Sequence, residues 1–186
     1  MSAARTSRGT SREQAVEAAY YAFAKNGLER TGMQDIAREL GKTRPVVYRF
    51  FTDKNDAFRQ VTKHLLDRTL AVAQAAARGQ GTPDERIFGV LDAKLTLAVR
   101  IHEASPHFGR ALLAEDTGLV ADLARDYMAA LGALLVEILK TEMPLMPSRE
   151  LSIILLALTR GLEDDLSDPA GTRAQLRLAI SLLARP

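Results

Sequence analysis

An all-α fold is what this sequence predicts, and three observations carry the prediction. Ala and Leu are plentiful, runs of β-branched residues are rare, and aromatics make up only 5% of the 186 residues; small and straight-chain side chains lose least on entering a helix. Apolar residues recur three and four apart in segment after segment, the period of a helix with one buried face. Gly27, Gly41, the stretch Gly79-Gln-Gly-Thr-Pro83, Pro144 and Pro147 fall between those segments as breaks. The architecture expected is an N-terminal three-helix unit followed by a C-terminal helical domain, about nine helices in all.

Residues 1–10 are polar, with Arg5 and Arg8 and no acidic residue, and lack the apolar core of a secretory signal. They read as a flexible basic arm, either a frayed terminus or a segment that lies along a nucleic-acid backbone. The first helix covers 11–26, with Ser11 as N-cap, Glu13 in its first turn, and Val16, Tyr20, Phe23 and Ala24 on one face; Gly27 ends it. In the second helix Met33, Ile36, Ala37 and Leu40 face inward while Gln34, Asp35, Arg38 and Glu39 face water. Gly41 stops it, Thr43 stands as the next N-cap, and Pro45 sits in a first turn where its missing N–H breaks no bond. Val47 and Phe51, four apart, would pin this third helix to a core of Val16, Tyr20, Phe23, Ile36 and Leu40.

Asp53 caps a long helix running to about residue 78 that carries Phe58, Val61, Leu65, Leu66 and Leu70, the expected mechanical link between the two parts. Helices follow at 84–103, 106–116 and 119–142. The last two, 151–165 and 172–184, are apolar almost all round, so they must be buried on most sides. In so small a chain the final helix is not easily central. The expectation is that Leu151, Ile154, Leu155, Leu158, Leu162, Leu176, Ala179, Ile180 and Leu183 pack against a second copy in a four-helix bundle on a two-fold axis, the alternative being burial within one copy. The domains are then 1–10, the arm; 11–58, the three-helix unit; and 59–186, the helical domain that holds an effector and the partner copy.

Two short amphipathic helices broken by a glycine form a helix-turn-helix, whose second helix enters the major groove of DNA. Arg44, Val46 and Arg49 are left pointing outward, with Pro45 among them. Arg44 is the candidate for base readout, since a guanidinium pairs with guanine O6 and N7, and Val46 suits a thymine methyl; Arg49 serves either role. Residues 1–60 hold eleven Lys/Arg against seven Asp/Glu, while the rest holds fourteen against sixteen, so the basic excess lies at the helix-turn-helix end.

Asp35-Ile-Ala-Arg38, Gly41, Val47-Tyr-Arg49, Phe51, Asp53-Lys54 and Ala57-Phe58 stand in the order and spacing of the tetracycline-repressor (TetR) family of transcriptional regulators, and over about residues 11–60 the chain resembles that family. Lys42, Pro45 and Phe50 are its departures from the family pattern. The resemblance implies that Thr31, Thr43, Tyr48 and Lys54 position the protein through phosphates, and that the chain is a homodimer. It fits a repressor released from a palindromic operator by a small molecule. The pocket expected for that effector lies among helices 84–103, 106–116 and 119–142, with Phe88, Leu91, Leu95, Phe108, Leu112, Tyr127, Met128, Leu131 and Leu135 as candidate lining; so apolar a set suits an apolar or amphipathic ligand.

Other chemistries are excluded by spacing. Gly41-Lys42-Thr43 imitates the end of a phosphate-binding loop, but Ile36 stands where its first glycine is needed. His102 and His107 are five apart with Pro106 between them, which no helical zinc motif tolerates. His64, Asp164 and Asp165 have no partner constellation, and the chain has no cysteine. No metal and no cofactor is expected, and no nucleophile–base pair is found. The longest apolar run, 128–136, is far short of the ~18 residues of a membrane helix, so the expected setting is the cytoplasm and the expected partner double-stranded DNA. The competing readings are a helical enzyme and a structural dimeric bundle without DNA binding.

Overall fold

The computed structural model describes residues 10–104, 118–145 and 147–183. Among them are eight helices and no strand: α1 (Arg12–Arg30), α2 (Met33–Leu40), α3 (Arg44–Val47), α4 (Lys54–Arg78), α5 (Pro83–Ala104), α6 (Ala121–Glu142), α7 (Ser148–Leu162) and α8 (Pro169–Leu183). The helix expected at 106–116, with Phe108 and Leu112, and the arm at 1–9 lie outside the described residues. The chain divides into two compact units, Met1–Val61 and Thr62–Pro186.

The first unit is built from strong local signals. Ser11 caps α1 reciprocally: the Gln14 amide donates to Ser11 Oγ at 3.1 Å and the Ser11 amide to Gln14 Oε1 at 2.9 Å. Gly27, at φ 76°, kinks the end of α1, and Gly41, at φ 64°, closes α2, a conformation that costs L-residues with a Cβ and costs glycine little. Beyond Gly41 the amide of Lys42 reaches back to the Ala37 carbonyl at 3.0 Å, satisfying an end-of-helix acceptor. The core beneath is Val16, Phe23, Ile36, Val47, Phe51 and Phe58. Phe23 meets Phe58 edge-on, with ring centroids 5.3 Å apart. Burying each of these rings stabilises the unit by about 1.5–3 kcal/mol. Tyr20 and Leu40, expected in this core, are half-buried at its edge.

The second unit packs α5 centrally, against α6, α7 and α8, with α6 on α7 and α7 on α8. Ile87, Leu91 and Leu95 of α5, Leu131, Leu135 and Ile138 of α6, Leu155 of α7 and Leu176 of α8 are all fully buried in one cluster. The last two helices have two unlike faces. Leu151, Leu155, Leu176 and Ile180, expected at a dimer interface, lie in this chain's own core, Leu158 and Leu162 pack partly against it, and Ala179 is half-buried. These helices bury one side against α5 and each other and turn the opposite side outward. Ile153, Ile154, Leu178, Leu182 and Leu183 are there exposed by 67, 51, 59, 62 and 37%.

Candidate nucleic-acid interface

The third helix is a single turn. Amides of Val47 and Tyr48 bond four residues back, to Thr43 and Arg44 carbonyls at 3.4 and 3.0 Å, and those of Arg49 and Phe50 only three back, to Val46 and Val47 at 3.2 and 2.9 Å. Pro45 supplies no amide, and the β-branched pair Val46-Val47 favours helix weakly, so the turn tightens instead of extending. Val47 and Phe51 are buried on its inner side. Thr43, Arg44, Pro45, Tyr48 and Arg49 are exposed, Val46 is half-buried, and Lys42 stands exposed just before them. The surface assembled at residues 42–49 is therefore cationic, with Lys42, Arg44 and Arg49 within one turn and its approach.

Thr43 occupies the N-cap position through its backbone (φ −84°, ψ 156°), and its hydroxyl makes no capping bond. Arg44 Nη2 donates to Tyr48 Oη at 3.0 Å. Elsewhere on the unit cations are paired locally: Arg38 with Asp35 at 2.9 Å and Lys25 with Glu39 at 3.6 Å.

The fourth helix is moored by its first turn. Asp53 Oδ1 accepts from the Asp56 amide at 2.8 Å, and Asp56 Oδ2 accepts from the Thr52 amide at 2.8 Å. Burial raises the Asp56 carboxyl, but hydrogen bonds from Gln60 and Thr52 and the nearby Arg12 charge together outweigh it, so the group is held below its usual range. Lys54 Nζ donates to the carbonyls of Leu28 at 3.2 Å and Glu29 at 3.1 Å, which ties the start of α4 to the end of α1 and leaves one N–H direction for another acceptor.

Thr31 requires a correction. It is 2% exposed, and its hydroxyl donates inward to the Gly27 carbonyl at 2.6 Å, with Ala22 O at 3.2 Å, so it reaches neither phosphate nor the N-terminus of α2. Gly32 takes the cap position there, its amide bonded to Asp35 Oδ2 at 2.8 Å. Thr31→Val is expected to lower stability by about 1 kcal/mol and leave duplex affinity unchanged, as thermal unfolding and a binding titration would show.

In the second unit the effector candidates Leu91, Leu95, Leu131 and Leu135 are fully buried against one another, Met128 is half-buried, and Phe88 carries the Arg177 guanidinium 3.5 Å from its ring centroid. Tyr127 is 8% exposed and its hydroxyl is buried with no hydrogen-bond partner among the described residues; burial, then the Glu163 charge, pushes the phenol up. One feature escaped the sequence reading, a buried ion pair, Lys94 Nζ to Glu163 Oε1 at 2.5 Å, whose sequence signal is a lysine set inside the apolar run Val90-Leu91-Asp92-Ala93-Lys94-Leu95.

Among the described residues no group of three metal-ligating side chains is assembled, and no helix is long and apolar enough to cross a membrane. No curated protein matches the sequence. Residues 15–61 match the family described as bacterial regulatory proteins, tetR family. Among solved structures, the chain is similar to a transcriptional regulator from Rhodococcus sp. Rha1, 22% identical with TM-score 0.74, covering 94% of this chain and 96% of that one. It is also similar to the fatty acid degradation regulator FadR from Bacillus halodurans, 14% identical with TM-score 0.72, over 94% and 96% of the two chains. A third is the TetR family transcriptional regulator PfmR from Thermus thermophilus, 19% identical with TM-score 0.65, over 95% and 96%. The helix-turn-helix segment of this chain thus matches the tetR family of bacterial regulatory proteins over residues 15–61, and the chain as a whole shares the fold of these solved regulators.

Proposed function

We propose that the protein is a cytoplasmic homodimeric repressor, released from a palindromic operator by a small apolar or amphipathic ligand. The observation that carries the reading is the division of one helical turn: Val47 and Phe51 hold it from below, while Arg44, Pro45, Tyr48 and Arg49 stand clear of the core. Such a turn enters a major groove without unfolding anything beneath it. Arg44 reads guanine through its planar fork, Val46 packs on a thymine methyl, and Arg49, Tyr48, Thr43 and the remaining Lys54 N–H contact the backbone.

Two copies place two such turns on half-sites about 34 Å apart or a multiple of it. The outward apolar face of α7 and α8 supports the pairing, since apolar side chains gathered on one face signal a partner. A ligand held among α5 and α6 shifts the population toward spacings that miss the operator, by no more than its differential affinity for the two states. The Tyr127 hydroxyl, without a hydrogen-bond partner among the described residues, supports an amphipathic ligand over a purely apolar one.

Random-sequence duplex selection, followed by titration of the selected site across a salt series, tests the reading. Arg44→Ala is expected to cost about 1–3 kcal/mol on that site and to relax preference at one base pair of each half-site. Unchanged preference would remove the base-readout assignment. Thermal-shift screening of amphipathic compounds, with release from the operator as the second readout, tests the effector.

A further inference from the structure

On the outer side of α3 two side chains hold each other. The Arg44 to Tyr48 hydrogen bond, at 3.0 Å, is joined by a guanidinium carbon 5.7 Å from the Tyr48 ring centroid, so the cation rests against the hydroxyl-bearing end of the ring. The spacing is helical. The Tyr48 amide donates to the Arg44 carbonyl at 3.0 Å, which stacks residue 48 one turn above residue 44. The backbone from which both project is fixed, because Val47 is fully buried and Phe51 is 1% exposed on the opposite side of the same turn.

We propose that Tyr48 is a positioning and specificity-determining residue, holding the Arg44 guanidinium ready for one base, and that this role outweighs any contact of its own with phosphate. The inference rests on the reading of α3 as the groove-facing turn. A free surface arginine samples many rotamers, all but one of which must be given up on binding. The bond to Tyr48 occupies one of five guanidinium N–H groups and leaves a two-donor edge intact, which is what a bidentate pair with guanine O6 and N7 needs. Tyr48 Oη accepts in this bond, so its own proton stays free for a further acceptor on the duplex. Phenylalanine at 48 keeps the ring and removes the acceptor, which isolates the proposed role.

The experiment compares the full-length protein with Tyr48→Phe, Arg44→Ala and the double variant. Each is titrated against the selected duplex and all its single-base changes over a salt series. Tyr48→Phe is expected to lose about three- to tenfold affinity, with discrimination falling at the same base pair that Arg44→Ala affects and the salt slope unchanged. Added to Arg44→Ala it should cost nothing more, the mark of two residues acting as one. A uniform loss on every duplex, with no base pair singled out, overturns the proposal and makes Tyr48 a phosphate contact. Losses that add, at different base pairs, overturn it too. Failure of the underlying reading looks different: wild-type protein without duplex affinity at low salt, or Arg44→Ala with unaltered base preference, removes the groove-facing assignment and the proposal with it. Tyr48 is 45% exposed, so circular dichroism of the variants should match wild type.

Discussion

Glu163→Ala is expected to lower the unfolding free energy by about 3–5 kcal/mol. Lys94 and Glu163 meet at 2.5 Å with side chains only 10 and 11% exposed, so removing the carboxylate leaves an ammonium buried and unpaired. Glu163→Gln keeps an acceptor for Lys94 and should lose less. Replacing both residues by apolar ones of similar volume should recover much of the loss, because neither charge is then stranded. The pair also has a pH signature. Burial raises the Glu163 carboxyl above its usual range, and the Lys94 charge and hydrogen bond pull it only partly back. The folded chain therefore holds this proton more tightly than the unfolded one, so the group's contribution is complete below the ordinary carboxylate value. It declines as pH rises from there through the raised value. Denaturant unfolding across that window should show wild type losing stability relative to Glu163→Gln as pH increases; a pH-independent difference would contradict the assignment.

Ile154→Glu combined with Leu182→Glu is expected to turn a two-copy protein into single copies, with affinity for a palindromic duplex reduced by at least about 100-fold. Both side chains lie on the outward face of the last two helices, exposed by 51 and 62%. Charges there oppose the desolvation that pairing requires while touching nothing in the chain's own core, so the melting temperature of the separated chain should change little. Light scattering and operator titration check the two halves of the prediction. Wild-type protein that is already monomeric at working concentration, or a double variant that stays paired, would move the interface elsewhere.

The first unit was readable because its signals are local. Ser11, Gly27, Gly41, Pro45 and Asp53 each act on the few residues beside them, and the pattern of Ile36, Leu40, Val47 and Phe51 needs only helical periodicity to be interpreted. What escaped depends on three-dimensional arrangement. Thr31 stands where a phosphate contact is plausible, yet the kink at Gly27 turns its hydroxyl toward the carbonyls at the end of α1. A helix apolar on most sides announces burial but not by what. Thus Leu155 and Leu176 went to this chain's core and Ile153 and Leu178 to its surface, a partition that periodicity cannot make when nearly every position is apolar. Lys94 and Glu163 are 69 residues apart, and nothing in either neighbourhood names the other.

The single turn of α3 has a consequence for evolution. Because Val47 and Phe51 fasten it from its inner side, the composition of its outer positions is largely uncoupled from the packing underneath, and replacing Arg44, Pro45, Tyr48 or Arg49 is expected to alter stability by only about half a kcal/mol. Duplicated copies of such a gene can drift to new target sequences one residue at a time without passing through a misfolded ancestor. A library randomised at those four positions would then sample new recognition codes on an unchanged scaffold.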